Sequence, residues 1–269
     1  MAITLSAEAI QNEAKRLHEA ERTRIQIKPG SSRHPNITIE DAYHIQDAWV
    51  NLKEKEGKKI IGHKVGLTSK VMQKAMKINE PDFGILLDDM YFESGSDIKT
   101  DDYLDPRIEV EVAFVLKEDL DPVNLTIEKI LNATKSIHGS LELIAARSYR
   151  VDPETGYTRI VKDTISDNAA NAGVILSQSE IPKDANLPWV GAVLRKNGVI
   201  EESGIAAAVL DHPVNGVKWL AEKYHSIGRQ LKAGEIILSG SFTRPIIVNK
   251  GDHIVADFNQ YGQVSCTFI

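Results

Sequence analysis

Residues 107–114 constrain this chain most, because their side chains alternate between two characters. A period of two predicts a β-strand with Glu109 and Glu111 on one face and four apolar side chains on the other. The pair Asp105-Pro106 directly before the run places the two carboxylates at the start of a strand inside the fold. Neighbouring carboxylates repel each other, so their burial requires a cation.

A third carboxylate, Glu142, lies in the otherwise apolar run 141–146, where solvation does not explain it. Three oxygen donors without a Cys or His cluster suit Mg²⁺ or Mn²⁺ better than Zn²⁺. The residues therefore predict a candidate site for a hard divalent cation. The alternative is that Glu109 and Glu111 form the solvated face of a half-exposed strand, with Arg107 as an ion-pair partner.

Composition excludes several classes of protein. A chain of 269 residues can bury a substantial core in one large domain or two small ones. The net charge of -6 and the lack of a Lys/Arg block argue against nucleic acid and membrane surfaces as partners. The first residues do not match a signal peptide, and no stretch has the apolar length of a membrane span, so we expect a cytoplasmic protein. The single Cys266 is predicted to be a buried, unreactive thiol.

The order of the predicted elements indicates an α+β fold. Helices are predicted over 6–24, 124–135 and 213–225. A further helix is predicted from Thr38 onward, and it opens with a capping box between Thr38 and Asp41. Most of the chain after residue 80 has the pattern of strands and turns, and Asn197-Gly198 predicts a hairpin. We expect a small N-terminal helical cap with the first strand over 1–80 and a β-rich catalytic body over 81–269.

Lys64 stands out on the strand predicted over 60–66. It shares its face with Gly62 and Gly66, so between residues 62 and 66 that face carries one ammonium and no other side chain. Glycines in a strand often mark the close approach of a ligand or of another backbone.

Six motifs occur in order along the chain. They are Gly62-His63-Lys64-Val65-Gly66-Leu67-Thr68-Ser69, Glu80-Pro81-Asp82-Phe83-Gly84, Leu86-Leu87-Asp88-Asp89-Met90, Pro106-Arg107-Ile108-Glu109-Val110-Glu111, Asp163-Thr164-Ile165-Ser166-Asp167-Asn168 and Gly240-Ser241-Phe242-Thr243-Arg244-Pro245. Together they resemble the hydratase–decarboxylase branch of the fumarylacetoacetate hydrolase superfamily, from about residue 37 to the C-terminus.

The resemblance implies a mixed β-roll in which Glu109, Glu111 and Glu142 are the ligands of one Mg²⁺ or Mn²⁺. It also implies a homo-oligomer of dimers assembled into a larger ring, such as a decamer. The implied activity is that of a metal-dependent hydratase, which adds water to a small 2-oxo or 2-hydroxydienoate diacid in aromatic-compound catabolism.

Such a reaction moves protons, so it requires acid and base groups. Lys64 is the first catalytic candidate, because a nearby dication and flanking glycines are expected to depress its pKa. Asp163 is the second, as a proton shuttle or water-orienting base, with an ordinary turn residue as the alternative. Substrate contacts are predicted for Asp82, Leu87, Arg147, Ser166, Ser241 and Thr243.

One departure from the family pattern follows the third ligand. Relatives often carry an Asp where this chain has Ala145, so a carboxylate beside Arg147 is predicted to be missing, which leaves the orientation of Arg147 and Glu142 open. Candidate contacts for a second substrate carboxylate are Arg33, His34 and Arg244.

Other functions are compatible with the same motifs. A decarboxylase of a 4-oxalocrotonate-like diacid needs the same chelate and the same enolate stabilisation, so the motifs do not separate it from a hydratase on physical grounds. A 2-hydroxypentadienoate hydratase and a hydrolase of C–C bonds in acylpyruvates are further alternatives. An inactive oligomeric scaffold is the alternative from another class, and it predicts carboxylates that do not converge.

Overall fold

The computed structural model describes residues 3–75 and 78–269. The helices in this part of the chain are α1 (Ala7–Thr23), α2 (Gly30–Arg33), α3 (Ile39–Lys55), α4 (Lys70–Ala75), α5 (Ile127–Ala133), α6 (Val161–Ser166) and α7 (Pro213–Ser226). The strands are β1 (Ile60–Gly66), β2 (Asp82–Leu87), β3 (Tyr91–Glu93), β4 (Ser96–Ile98), β5 (Arg107–Leu116), β6 (Thr134–Ile144), β7 (Asn171–Glu180), β8 (Gly191–Lys196), β9 (Val199–Ile205), β10 (Ile236–Ser241), β11 (Ile246–Ile247), β12 (His253–Asp257) and β13 (Gln263–Phe268). None of the helices within these ranges combines the length and the apolar character needed to cross a membrane.

The strands form two mixed sheets. The larger sheet has the order β2-β1-β10-β5-β6-β7-β3, with β11 paired to β5, and the smaller has the order β4-β13-β12-β8-β9. Most neighbours are antiparallel, but β1 runs parallel to β10, β3 to β7 and β4 to β13. This is the α+β architecture that the sequence predicted, a mixed β-roll preceded by helices.

One face of β5 is buried in the main apolar core. Val112 and Phe114 belong to the same cluster as Ile254, Phe258 and Val264 of the smaller sheet and its flanking residues. None of the five is more than 1% exposed. The apolar face predicted from the alternation is therefore the face that packs in this core.

The opposite face of β5 is directed toward the N-terminal helices. Ala113 on this face belongs to a second apolar core that includes Trp49 of α3 and Leu17 of α1. Because residues two apart on a strand share a face, Glu109 and Glu111 lie on this helix side of the larger sheet.

Several local predictions are confirmed. Thr38 and Asp41 form the capping box at the start of α3. Asn197 and Gly198, with φ of 54° and 82°, join β8 to β9 in the predicted hairpin. Cys266 is buried, and burial raises the pKa of its thiol to about 12, which makes it unreactive.

Two helix predictions differ from the structure. The helix expected over 124–135 is shorter, because the chain passes from α5 directly into β6 at Thr134. Helix α6 was not predicted from the sequence, because its six residues are too few to show a periodic apolar stripe. Its N-cap position is Ile160, so the usual capping side chain is absent, and the Asp163 carboxylate instead accepts from the Ile160 backbone amide.

The first strand is part of the body of the protein. β1 lies inside the larger sheet, between β2 and β10. The division of the chain at residue 80 into a cap with the first strand and a catalytic body stays a prediction.

Candidate active site

Three carboxylates converge on the helix side of the larger sheet. Glu109 of β5 is directly opposite Glu142 of β6 in the antiparallel register, and Glu111 lies two residues further along the same face. One oxygen atom of each lies within 4.8 Å of the other two. Glu111 and Glu142 are buried, at 1% and 0% exposure, and Glu109 is half-buried. The alternative of a solvated strand face does not fit this burial.

These carboxyl groups hold protons more tightly than an exposed Glu does. Burial, followed by the charge of Glu142, raises the pKa of Glu109 to about 7, and the same two causes raise the pKa of Glu111 well above its usual range. Burial also raises the pKa of Glu142, against the opposing charge of Lys64. Burial, which disfavours the charged form, is the largest cause for all three, and repulsion by Glu142 adds to it for Glu109 and Glu111.

The donor set fits a hard divalent cation. Within the described residues neither side-chain oxygen of Glu142 has a hydrogen-bond partner, although Oε1 lies 3.4 Å from Nζ of Lys64. Buried carboxylate oxygens without partners are rare in folded proteins unless something outside the chain binds them. Three carboxylate oxygens are ligands that Mg²⁺ and Mn²⁺ prefer.

Lys64 of β1 lies on the same face of the sheet. It pairs with Leu238 of β10, which pairs with Ala113 of β5. Burial alone would lower the pKa of the ammonium, but nearby carboxylates, led by Glu142 and Asp82, outweigh burial and raise it. These carboxylates act on Lys64 in the direction opposite to the depression predicted from the sequence, which depends on a dication beside the ammonium and stays a prediction.

Asp82 reaches Lys64 because Gly66 has no side chain. Gly66 and Asp82 pair directly between β1 and β2. A Cβ on Gly66 would stand 2.2 Å from Oδ1 of Asp82 and 3.0 Å from Nζ of Lys64. Asp82 is buried, which raises its pKa, and its Oδ1 has no hydrogen-bond partner in the described chain. The bare strand face noted in the sequence thus accommodates a carboxylate beside the ammonium.

The end of β10 adds a backbone donor to the site. The amide of Gly240 donates to Oε2 of Glu111 at 2.8 Å. Ser241 and Thr243, predicted to bind substrate, lie next to it, but their hydroxyls bond to the backbone of Val110 at 3.3 and 3.1 Å. The role of Gly240 was not predicted, because a backbone amide is not visible in the pattern of side chains. The sequence signal that could have indicated it is the glycine itself, whose φ is 124° in the structure.

Asp163 and Ser166 lie in α6 and have other partners. Asp163 accepts from the amide and the hydroxyl of Ser31 at 2.7 and 2.6 Å, in addition to the cap of its own helix. The hydroxyl of Ser166 donates to the carbonyl of Lys162. Both polar groups therefore serve α6 and its contact with α2, and their roles in catalysis and binding stay predictions.

Arg147 and Leu87 lie where the helical cap meets the sheet. The guanidinium of Arg147 donates to Glu21 of α1 at 2.6 Å and to Asp167 at 3.1 Å. These carboxylates orient Arg147 in place of the one that Ala145 lacks. Leu87 is fully buried in the apolar core that includes α1 and α3. The substrate contacts of both residues stay predictions.

The structure thus brings together five of the predicted side chains: Lys64, Asp82, Glu109, Glu111 and Glu142. His63 points to the opposite face of β1, where its ring bonds to the hydroxyl of Tyr224 at 2.9 Å.

Comparison with known proteins agrees with this geometry. The family model described as fumarylacetoacetate (FAA) hydrolase C-terminal matches residues 59–269. The chain is 54% identical over 257 residues to 2-oxo-hept-4-ene-1,7-dioate hydratase from Escherichia coli, covering 95% of this chain and 96% of the relative. It is 35% identical over 262 residues to 2-hydroxyhexa-2,4-dienoate hydratase from Comamonas testosteroni, covering 96% and 97%. A solved structure of 4-oxalocrotonate decarboxylase from Pseudomonas putida G7, complexed with magnesium and adipate, matches with a TM-score of 0.93 and 29% identity over all of both chains.

Proposed function

The chain belongs to the fumarylacetoacetate hydrolase family, and we propose that it is a Mg²⁺- or Mn²⁺-dependent hydratase of 2-oxohept-4-ene-1,7-dioate. The product is 4-hydroxy-2-oxoheptanedioate, formed in the meta-cleavage catabolism of aromatic compounds. The observation that carries the proposal is 54% identity over 95% of the chain to a hydratase of this substrate, and the converging carboxylates supply a site for the chemistry.

A 2-oxo acid offers its carboxylate and its ketone oxygen as adjacent hard donors. Glu109, Glu111 and Glu142 would hold the cation, which would stabilise the negative charge that develops on the ketone oxygen. The amide of Gly240 holds Glu111 in place for this role. The solved relative with magnesium is consistent with such a site, although the choice between Mg²⁺ and Mn²⁺ is part of the proposal.

The chain's own residues move the protons. Bringing the double bond into conjugation with the ketone removes a proton from C3 and delivers one to C5; water then adds at C4 and C3 regains a proton. Lys64, kept protonated by its neighbours, is the proposed donor. Asp82, with a pKa raised by burial, is a stronger base than a free Asp and is the proposed acceptor. Asp163 remains a candidate for orienting water.

Decarboxylation is the second candidate function, because the decarboxylase structure matches this chain over its whole length. The two reactions share the 2-oxo acid chelate and the enolate, but the decarboxylase loses CO₂ where the hydratase adds water.

Product analysis by NMR separates the two. The purified protein with Mg²⁺ is given 2-hydroxyhepta-2,4-diene-1,7-dioate and, separately, 4-oxalocrotonate. A new C4 carbinol signal from the first substrate, without CO₂ loss from the second, is the expected result. CO₂ release from the second without hydration of the first would assign the decarboxylase reaction instead.

We also propose a homo-oligomer. β9 is an edge strand of the smaller sheet and exposes Val199 and Ile200 at its start, at 64% and 56%, and Ile205 at its end, at 39%. Exposed apolar side chains on an unpaired strand edge favour association. Light scattering should give the mass of at least a dimer, whereas a monomer at micromolar concentration would contradict the proposal. A cytoplasmic location stays a prediction.

A further inference from the structure

Arg159 is a buried cation without a full set of partners. Its side chain is 8% exposed, and its Nη1 atom has no hydrogen-bond partner within residues 3–75 and 78–269. Oδ2 of Asp167 is 3.7 Å from this Nη1, beyond hydrogen-bond range, and already accepts from the amide of Arg147 at 2.8 Å. A buried charged donor left unpaired is unfavourable, so such a group points to a binding partner outside the chain.

Arg159 lies beside the candidate site. Gly84 pairs with Lys64 in the sheet, and the carbonyl oxygen of Asn168 lies 2.5 Å from the point where a Cβ of Gly84 would stand. Asp167, which precedes Asn168, is the residue that approaches Arg159. Burial raises the pKa of Asp82, and the positive charges of Lys64 and Arg159 both oppose this rise. The 167–168 segment therefore packs over Gly84 on the face of the larger sheet that carries Lys64, and the Arg159 guanidinium lies beside this segment.

The neighbouring Arg150, unlike Arg159, has a carboxylate hydrogen-bonded to its guanidinium. The amide of Arg159 donates to the carbonyl of Arg150 at 3.0 Å, so the two residues are adjacent across the loop that joins them. The guanidinium of Arg150 pairs with the Asp105 carboxylate. Burial and the charge of Arg150 lower the pKa of Arg159 to about 10, so Arg159 is still a cation at neutral pH.

The three basic side chains predicted from the sequence to contact a second substrate carboxylate all have carboxylate partners in the structure. Arg33 and His34 both contact Glu13, at 2.5 and 3.2 Å. Arg244 contacts Glu202 at 2.7 Å and is 84% exposed. They lack the combination of burial and an unpaired donor that distinguishes Arg159.

We propose that Arg159 binds the distal carboxylate of a dicarboxylic 2-oxo acid and thereby selects diacids over monoacids. The identity of that diacid rests on the proposed function. Once the 2-oxo end is held at the three carboxylates, a second carboxylate in the same site faces further acidic groups, and a cation must offset their repulsion. A guanidinium fork matches a carboxylate with two parallel hydrogen bonds.

The test compares two ligands that differ only at the far end, 2-oxoheptanedioate and 2-oxoheptanoate, by calorimetric titration of the protein with Mg²⁺. Wild type should bind the diacid about 10- to 100-fold more tightly, the range expected for hydrogen bonds to a charged group. Arg159→Gln should bring this ratio close to one while leaving the monoacid affinity unchanged. Arg150→Gln is the matched control, because it removes the same charge from the same loop, and its ratio should stay at the wild-type value.

Three results would overturn the assignment: no diacid preference in wild type, an unchanged ratio in Arg159→Gln, or an equal loss in Arg150→Gln. If Arg159→Gln does not fold, as judged by circular dichroism, Arg159→Lys replaces it. That variant keeps the charge but not the fork, so its ratio should fall below wild type, and an unchanged ratio refutes the role. Because binding is measured without turnover, a protein that fails to hydrate the dienoate but shows the Arg159-dependent ratio would refute only the proposed function.

Discussion

Replacing Glu21 by Gln tests whether the ion pairs around Arg147 secure the helical cap. Oε1 of Glu21 accepts from Nζ of Lys53 at 2.7 Å, and Oε2 accepts from Nε of Arg147 at 2.6 Å. The side chains of Lys53 and Arg147 are only 9% and 5% exposed. In Glu21→Gln both cations lose their shared carboxylate but stay buried.

The size of the effect follows from the pKa of Glu21. Burial raises this pKa, but the charges of Arg147 and Lys53 outweigh burial and lower it from 4.5 to about 2. The difference, 4.5 − 2 = 2.5, corresponds to roughly 3 kcal/mol of stability at neutral pH. Removing one partner of a buried ion pair typically costs about 3–5 kcal/mol, which agrees. We expect Glu21→Gln to lower the free energy of unfolding by about 3 kcal/mol at pH 7.

Urea unfolding followed by circular dichroism measures this loss. Glu19→Gln is the matched control, because Glu19 is on the same helix, is 54% exposed and pairs with Arg22, so its loss should not shift the urea midpoint measurably. Since the folded-state pKa of Glu21 is depressed, its contribution is present above pH 4.5 and is lost as the pH falls through about 2. The gap between wild type and Glu21→Gln should therefore narrow below pH 4.5. Equal midpoints for Glu21→Gln and Glu19→Gln at pH 7, or a gap that widens in acid, would refute the reasoning.

The candidate site provides three further tests. Mg²⁺ at 100 times its Kd should raise the free energy of unfolding by about 2.7 kcal/mol. A thermal titration should show that Glu142→Gln loses this response and that Glu118→Gln, a control at a side chain that is 66% exposed, keeps it. A response in Glu142→Gln would remove Glu142 from the ligand set. Lys64→Ala should abolish hydration measured by loss of the dienol absorbance yet keep the Mg²⁺-induced rise in Tm, so retained turnover would exclude Lys64 from the mechanism. Gly66→Ala forces a Cβ into the space that Asp82 occupies, 2.2 Å from its Oδ1. Because Asp82 must then move, kcat should fall about 100-fold while Mg²⁺ binding stays intact. An unchanged kcat would show that the position of Asp82 does not matter for catalysis.

The alternation along 107–114 was sufficient to predict β5, its buried face and the shared side of Glu109 and Glu111, because side-chain direction in a strand depends only on the backbone period. Glu142 was recognisable for a related reason: an acid inside an apolar run has to be explained by a partner. The Thr38 cap and the Asn197-Gly198 turn are equally local. The motifs identified the family.

The partners of the site residues were not predictable in the same way, because they come from distant parts of the chain. Asp163 looked like a free acid, yet Ser31 lies 132 residues away in sequence and occupies both of its oxygens. Arg147 appeared to lack a carboxylate, and Glu21, 126 residues away, supplies it.

The sequence by itself determined which residue types stand on which face of each strand, and with them the fold class and the carboxylate donors of the candidate cation site. Only the tertiary structure decided which charges meet: that Asp82 approaches Lys64 over Gly66, that four carboxylates surround this ammonium, and that Nη1 of Arg159 has no hydrogen-bond partner among the described residues. The physical reason is that patterning is fixed by bonds between neighbours along the chain, whereas burial and electrostatics depend on which segments the fold places within a few ångströms of each other.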